Sequence, residues 1–285
     1  MCGESASARE GEMSETTAML KRGFVLSPHG NIEYFELGSG EPLIMLHSTP
    51  SSCMAFRDVA PYLAEEVRVI AMSTMGFGQS DRPPRAYTTL TEFAQAVVWL
   101  MDGLGLERPN VYGLLTGSEI ATEVAASWPG RVDRLILDEV FNWNTPSRRA
   151  VHERLHRYFP ERADGGHLLD LWRKVGGDRP GADLKVTTQR FMNNLLVNSN
   201  EGAEVYGGTG WEGAATYAMC RYEMWDATPK IEAPTLVMHT VDSERGRAHP
   251  KFLRTIRRSR GVRLPDREPG LWASEILAFL REPGV

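Results

Sequence analysis

The chain has 285 residues, 42% of them apolar and 24% charged, with a formal net charge of −5. That length can bury a large core, and the charge lacks the basic stripe of a nucleic-acid binder. No stretch approaches the roughly 18 uncharged apolar residues that a membrane span needs. Cys2, Cys53 and Cys220 form no CxxC pair and no metal-ligand spacing, so a reduced, cytoplasmic setting is expected, with no metal and no cofactor.

Residues 1–17, rich in Ser, Glu and Gly, read as a flexible tail, neither a signal peptide nor an anchor. Strands are expected over 24–27 and 32–37, with a turn at His29–Gly30, then over 42–47 and 67–72, with a helix over 55–64 between the last two. An amphipathic helix over 90–104 ends at Gly105. A strand over 110–114 runs directly into a helix over 117–128, which Pro129–Gly130 stops, and a strand over 132–137 follows. Residues 142–230 carry helical stretches and many aromatics, and the strand pattern returns over 234–239. Helices near 251–257 and 273–280 close the chain, and the basic run 254–260 reads as a solvated helix end. Strands alternating with helices predict an α/β class with a mostly parallel sheet. The core falls in 18–141 and 231–285, with a helical insertion over 142–230.

Three motifs in order carry a family resemblance. Leu46–His47–Ser48–Thr49–Pro50 resembles the H-G-x-P oxyanion loop of α/β-hydrolases. Ser73–Thr74–Met75–Gly76–Phe77–Gly78–Gln79–Ser80–Asp81 resembles their D-x-x-G-x-G-x-S-D turn. Gly113–Leu114–Leu115–Thr116–Gly117 resembles the nucleophile elbow. The resemblance is to the haloalkane dehalogenase and epoxide hydrolase branch, and it implies an α/β-hydrolase fold with a helical cap over 142–230.

The same comparison points to lost chemistry. The residue at the centre of the elbow is Leu115, which has neither a lone pair nor a labile proton with which to attack carbon. Thr116 and Ser118 read as hydroxyls bonded to local backbone. Pro269–Gly270–Leu271–Trp272, followed by Ser274–Glu275–Ile276, is similar to the stretch that carries the base histidine, with Trp272 in its place, and no histidine follows His249. Thr49 stands where the dehalogenases hold halide, Ser48 replaces a glycine, and Ser73 replaces an aspartate.

The remaining candidates for acid–base work are Glu139, Asp242 and His47. Glu139 and Asp242 are placed by the resemblance at strand ends, on the edge where open α/β sheets bind ligands. Residues expected against a ligand are Ser48, Thr49, Leu115, Thr116, His239, Trp272, Tyr222, Trp225 and Trp211. His152 and His156 share a helical face without further metal ligands. The expected partner is a bulky hydrophobic small molecule, with no nucleic acid and no membrane, and a homodimer is compatible with the sequence. The leading reading is a non-hydrolytic enzyme (cyclase, isomerase, lyase or C–C bond chemistry, as in natural-product biosynthesis). The alternatives are a silent ligand-binding pseudo-hydrolase and an atypical hydrolase that activates water with a carboxylate.

Overall fold

The computed structural model describes residues 19–283, apart from the side chains of 151–155. The expected tail over 1–17 therefore lies outside the described residues, as does the side chain of His152. Eight strands form one sheet: β1 (Lys21–Ser27), β2 (Gly30–Leu37), β3 (Glu41–Leu46), β4 (Val67–Met72), β5 (Asn110–Leu114), β6 (Leu135–Asp138), β7 (Thr235–Thr240) and β8 (Ser259–Leu264). Their order is β1-β2-β4-β3-β5-β6-β7-β8. β1, β2 and β4 pair antiparallel, and all other neighbours pair parallel.

Parallel strands buried on both faces read as unbroken apolar runs, and β3 to β7 follow that rule. β8 does not, and the sequence reading missed it. It is an edge strand paired only with β7, its arginines reach solvent, and the basic run read as a helix end belongs partly to it. Charge on an edge strand discourages pairing with another chain.

The helices are α1 (Ala60–Leu63), α2 (Leu90–Gly103), α3 (Thr116–Ser127), α4 (Pro146–Leu155), α5 (Gly166–Lys174), α6 (Leu184–Val197), α7 (Ala214–Met219), α8 (Met224–Ala227), α9 (His249–Thr255) and α10 (Pro269–Leu280). The helix expected over 55–64 is instead a 3-10 turn, Cys53–Phe56, followed by α1. Pro61 has no N–H for a helix running through it, and it sits in the first turn of α1, where none is needed. α10 starts four residues earlier than expected. Glu268 caps it by accepting from the amides of Gly270 (3.1 Å) and Leu271 (2.8 Å), and Pro269 takes the first helical position.

One face of the sheet buries its side chains under α2 and α3, the other under α1 and α10. Between β6 and β7 the described chain is helical and irregular, from α4 to α8. No described helix is long and apolar enough to cross a membrane.

Strand register brings the loops together. Leu46 is level with Met72 on one side and Gly113 on the other, Leu114 is level with Asp138, and Asp138 with Met238. The segments that begin at His47, Ser73, Leu115, Glu139 and Val241 therefore leave the sheet at one edge, where ligands bind in open α/β sheets.

Candidate functional site

The turn between β5 and α3 carries Leu115 at its tip. Leu115 joins β5 to α3 with φ 53° and ψ −113°, a conformation that side-chain-bearing residues rarely hold. Its amide donates to Asp138 O (2.9 Å), and its carbonyl accepts from the Ser118 amide (2.9 Å) and hydroxyl (2.6 Å). Two glycines make the crossing possible. A Cβ on Gly113 would lie 2.2 Å from Gly117 O, and one on Gly117 would lie 2.1 Å from Leu46 O, both fixed backbone atoms.

A cavity of about 490 Å³ lies over the elbow. Ser48, Thr49, Pro50, Leu115 and Thr116 line it from the sheet, and Phe141, Trp143 and Arg245 from the loops after β6 and β7. The insertion contributes His156, Lys174, Val175, Arg179, Arg190, Asn194, Glu212 and Thr216. The Thr49 and Thr116 hydroxyls are 2.9 Å apart. Thr116 and Gly117 open α3, where backbone N–H groups have no preceding turn to bond.

Ser48, Thr49, Leu115 and Thr116 thus line this cavity, and the other residues named from the sequence do not. Glu139 is 3% exposed, and its carboxylate is already engaged. It accepts from the Thr240 amide (2.9 Å), the Thr240 and Ser243 hydroxyls and Arg267 Nη2 (3.2 Å). Burial alone would raise its pKa, but these hydrogen bonds and Arg267 bring it down to about 2. A carboxylate so weakly basic ties loops together and is a poor general base. Asp242 is exposed beyond β7 and away from the cavity.

His47 is fully buried. Its Nε2 accepts from the Thr74 amide (2.9 Å), so Nδ1 carries the proton and donates to Ser48 O (2.8 Å). Burial drives its pKa down to about 4. It is a neutral brace between two loops, not an acid or base facing ligand. His239, also fully buried, bonds Val140 O (2.9 Å) and His249 Nδ1 (2.8 Å) beneath the loops.

The four expected aromatics, Trp272, Trp211, Trp225 and Tyr222, pack in or against the two core clusters instead. Trp272 is 7% exposed within α10, against Phe56 and Tyr112. Trp211 donates from Nε1 to Gly76 O (2.8 Å), tying the insertion to the turn after β4. Trp225 packs against Phe252 with ring centroids 4.9 Å apart and planes tilted by 43°, and Tyr222 packs against the same core cluster.

The altered Ser73 has a compensation invisible in its own motif. Its hydroxyl donates to Glu33 Oε2 (2.7 Å) and accepts from the Cys53 amide (2.9 Å). Glu33, on β2, is 2% exposed, accepts from the Gln79 amide (2.8 Å) and pairs with Arg22. Burial alone would raise its pKa, and these partners pull it below the usual carboxylate range. A buried carboxylate still anchors this turn, supplied by the neighbouring strand.

Arg267, which sequence reasoning missed, follows β8 where the resemblance would bring in the histidine loop. It contacts buried Asp138 through Nη2 and Nε (3.3 Å), and Glu139 through Nη2. Asp138 accepts from Oη of Tyr112 (2.6 Å), which belongs to the core cluster under α1 and α10. Lys174, Arg179, Arg190 and Arg245 were also missed. They come from separate segments, and only the fold gathers them.

The sheet order, the elbow and the insertion over it define the class: this chain has the α/β-hydrolase fold. The family described as the alpha/beta hydrolase fold matches residues 41–165. Haloalkane dehalogenase 2 of Mycobacterium tuberculosis is 31% identical over 117 residues, 41% of this chain and 41% of that protein. The 2-hydroxymuconate semialdehyde hydrolase of Pseudomonas sp. is 33% identical over 138 residues, 47% of this chain and 48% of that protein. The chain therefore spans less than half the length of these curated relatives. Among solved structures, a hydrolase from Pseudomonas aeruginosa PA01 superposes with a TM-score of 0.71 at 21% identity, over 92% of this chain and 98% of that one. A bromoperoxidase from Bacillus anthracis gives 0.71 at 16%, over 92% and 100%. At these identities the likeness is one of fold, and fold does not fix function.

Leu115→Ser is expected to gain no turnover of p-nitrophenyl acetate over the unmodified protein, because among the described residues the sheet-side lining of the cavity, Ser48, Thr49, Pro50, Leu115 and Thr116, holds no imidazole. A gain of more than about 100-fold, the scale of general-base assistance, would show that a base does reach the elbow.

Proposed function

We propose that this protein is a small-molecule enzyme that acts on an anionic, partly apolar ligand in the cavity between sheet and cap, with no covalent step at the elbow. The observation that carries this reading is Leu115 at the elbow tip, facing that cavity. Cyclisation, isomerisation and elimination need orientation and proton transfer rather than an elbow nucleophile, so they remain open to such a site.

The lining supports an anion rather than the bulky hydrophobic ligand expected from the aromatic content. It holds four cationic side chains, Lys174, Arg179, Arg190 and Arg245, against one carboxylate, Glu212, on a chain with a net charge of −5. The N-terminus of α3 adds partial positive charge at the floor. Leu115, Val175, Phe141 and Trp143 offer apolar contact beside these charges, and about 490 Å³ lies within the usual size range of small-molecule sites.

Binding without turnover is the second reading. It is favoured by the condition of the three acid–base candidates: Glu139 is saturated with donors, Asp242 lies outside, and His47 is spent on backbone.

Calorimetry with 4-phenylbutyrate and its neutral amide tests the ligand class. The carboxylate is expected to bind more tightly and to weaken as salt is raised. An exposed charge pair is worth up to about 1 kcal/mol, so Arg190→Gln and Arg245→Gln should each weaken it by roughly 3- to 5-fold and leave the amide unchanged. Equal affinity for acid and amide at low salt overturns the anionic assignment.

A further inference from the structure

The cap presents to the cavity three polar side chains in line. Glu212, in the turn Trp211–Gly213, places Oε1 3.1 Å from His156 Nδ1, and His156 Nε2 lies 2.7 Å from the Thr216 hydroxyl on α7. They are 3%, 7% and 3% exposed, yet all three line the cavity.

The proton positions follow from the partners. Burial alone would raise the pKa of Glu212, but His156 and Lys174 outweigh it and hold the group below the usual carboxylate range, so it is ionised and can only accept. Nδ1 of His156 therefore donates to Glu212, and in the neutral imidazole Nε2 is the acceptor for the Thr216 hydroxyl hydrogen. Lys174 pairs with Oε2 of Glu212, which fixes the carboxylate while Oε1 serves the imidazole. A carboxylate that orients an imidazole, which in turn accepts from a hydroxyl, is the arrangement that activates an alcohol oxygen. It is recognised by geometry, whatever elements supply it.

We propose that Glu212, His156 and Thr216 form an acyl-transfer site on the cap, with Thr216 Oγ as the nucleophile toward small anionic esters. The site goes beyond the function proposed above and shares with it only the anionic ligand. Thr216 Oγ bonds to the acyl carbon as its proton passes to His156 Nε2, and Glu212 holds the resulting imidazolium. The bond to the leaving alcohol then breaks, and Nε2 returns the proton to that oxygen. Water attacks the acyl-threonine, gives its proton to Nε2, and the proton returns to Thr216 Oγ as the acid leaves. The sum is ester plus water to acid plus alcohol.

The test is intact-protein mass spectrometry of the full chain with a fluorophosphonate and with p-nitrophenyl hemisuccinate, the adduct being mapped to the tryptic peptide 191–221. The expected result is a single increment on Thr216, retained in Thr216→Ser. Labelling should fall at least roughly 100-fold in Thr216→Val and His156→Asn, with thermal melting to show that each variant is folded. A role confined to packing would not give a mapped adduct. No increment on the folded protein, an increment elsewhere, or unchanged labelling of Thr216→Val overturns the proposal. If a variant fails to fold, the mapped position on the unmodified protein decides. Loss of labelling with the acid-over-amide preference intact sinks the relay alone, whereas loss of that preference sinks the ligand assignment.

Discussion

Replacing Arg267 with leucine is expected to destabilise the protein by about 3–5 kcal/mol, the cost of leaving one partner of a buried ion pair uncompensated. Asp138 is fully buried at the end of a central strand and has two side-chain donors, Arg267 and Tyr112 Oη. Arg267 is itself partly exposed and also reaches Glu139. Without the guanidinium, the Asp138 carboxylate must shed its charge or draw in water, and either costs free energy in the folded state alone. Urea unfolding of the variant should show the loss directly. A double variant, Arg267→Leu with Asp138→Asn, should recover part of it, because the amide needs no counter-charge. A loss below about 1 kcal/mol for the single variant would mean that Tyr112 and solvent suffice to hold Asp138, and that the loop after β8 is not pinned by this contact.

Glu139→Gln is expected to cost about 1.5–3 kcal/mol at neutral pH, the range for hydrogen bonds made to a charged group, and the cost should vanish in acid. The folded-state pKa of Glu139 is depressed to about 2, from an ordinary value of 4.5. A depressed carboxylate contributes stability that is fully present above its unfolded pKa and is lost as pH falls through the folded one. The unmodified protein should therefore lose its advantage between about pH 4.5 and pH 2, and the two stability curves should converge there. Parallel curves across that window would show that Glu139 is not stabilised as a carboxylate by Thr240, Ser243 and Arg267. Catalysis by Glu139 would require the opposite condition, a basic carboxylate with an open side.

At the carboxyl ends of β6, β7 and β8, Asp138, Glu139 and Arg267 make a structural knot where the resemblance would place the acid and the histidine loop. The sheet side of the cavity is thereby fixed in shape and poor in reactive groups. The acid–base groups that do face the cavity, His156 and Glu212, arrive from the insertion.

Much of the fold was legible in the sequence because buried parallel strands declare themselves locally. The apolar runs over 42–47, 67–72 and 110–114 are β3, β4 and β5 with little adjustment. The elbow was legible for the same reason: Gly113 and Gly117 are required by backbone clashes that any side chain would create, so their spacing marks the turn whatever residue stands at its tip. β8 was not legible, since an edge strand needs no apolar alternation. The start of α10 depended on a cap, Glu268, that periodicity does not weigh.

The sequence by itself determined the scaffold, the leucine at the elbow and the tryptophan in the histidine position, because each is a matter of residue identity at a local motif. Only the tertiary structure decided which polar groups meet. Glu139 and His47 were promising as residue types, and burial together with backbone donors turned both into braces. Glu33, on β2, holds the turn that begins at Ser73 through the Ser73 hydroxyl and the Gln79 amide. Lys174, Arg190, Arg245, His156, Glu212 and Thr216 have no common motif, since they lie on elements up to 89 residues apart between His156 and Arg245. They converge only because chain folding carries the insertion over the sheet edge, and charge and hydrogen bonding act through space rather than along the sequence.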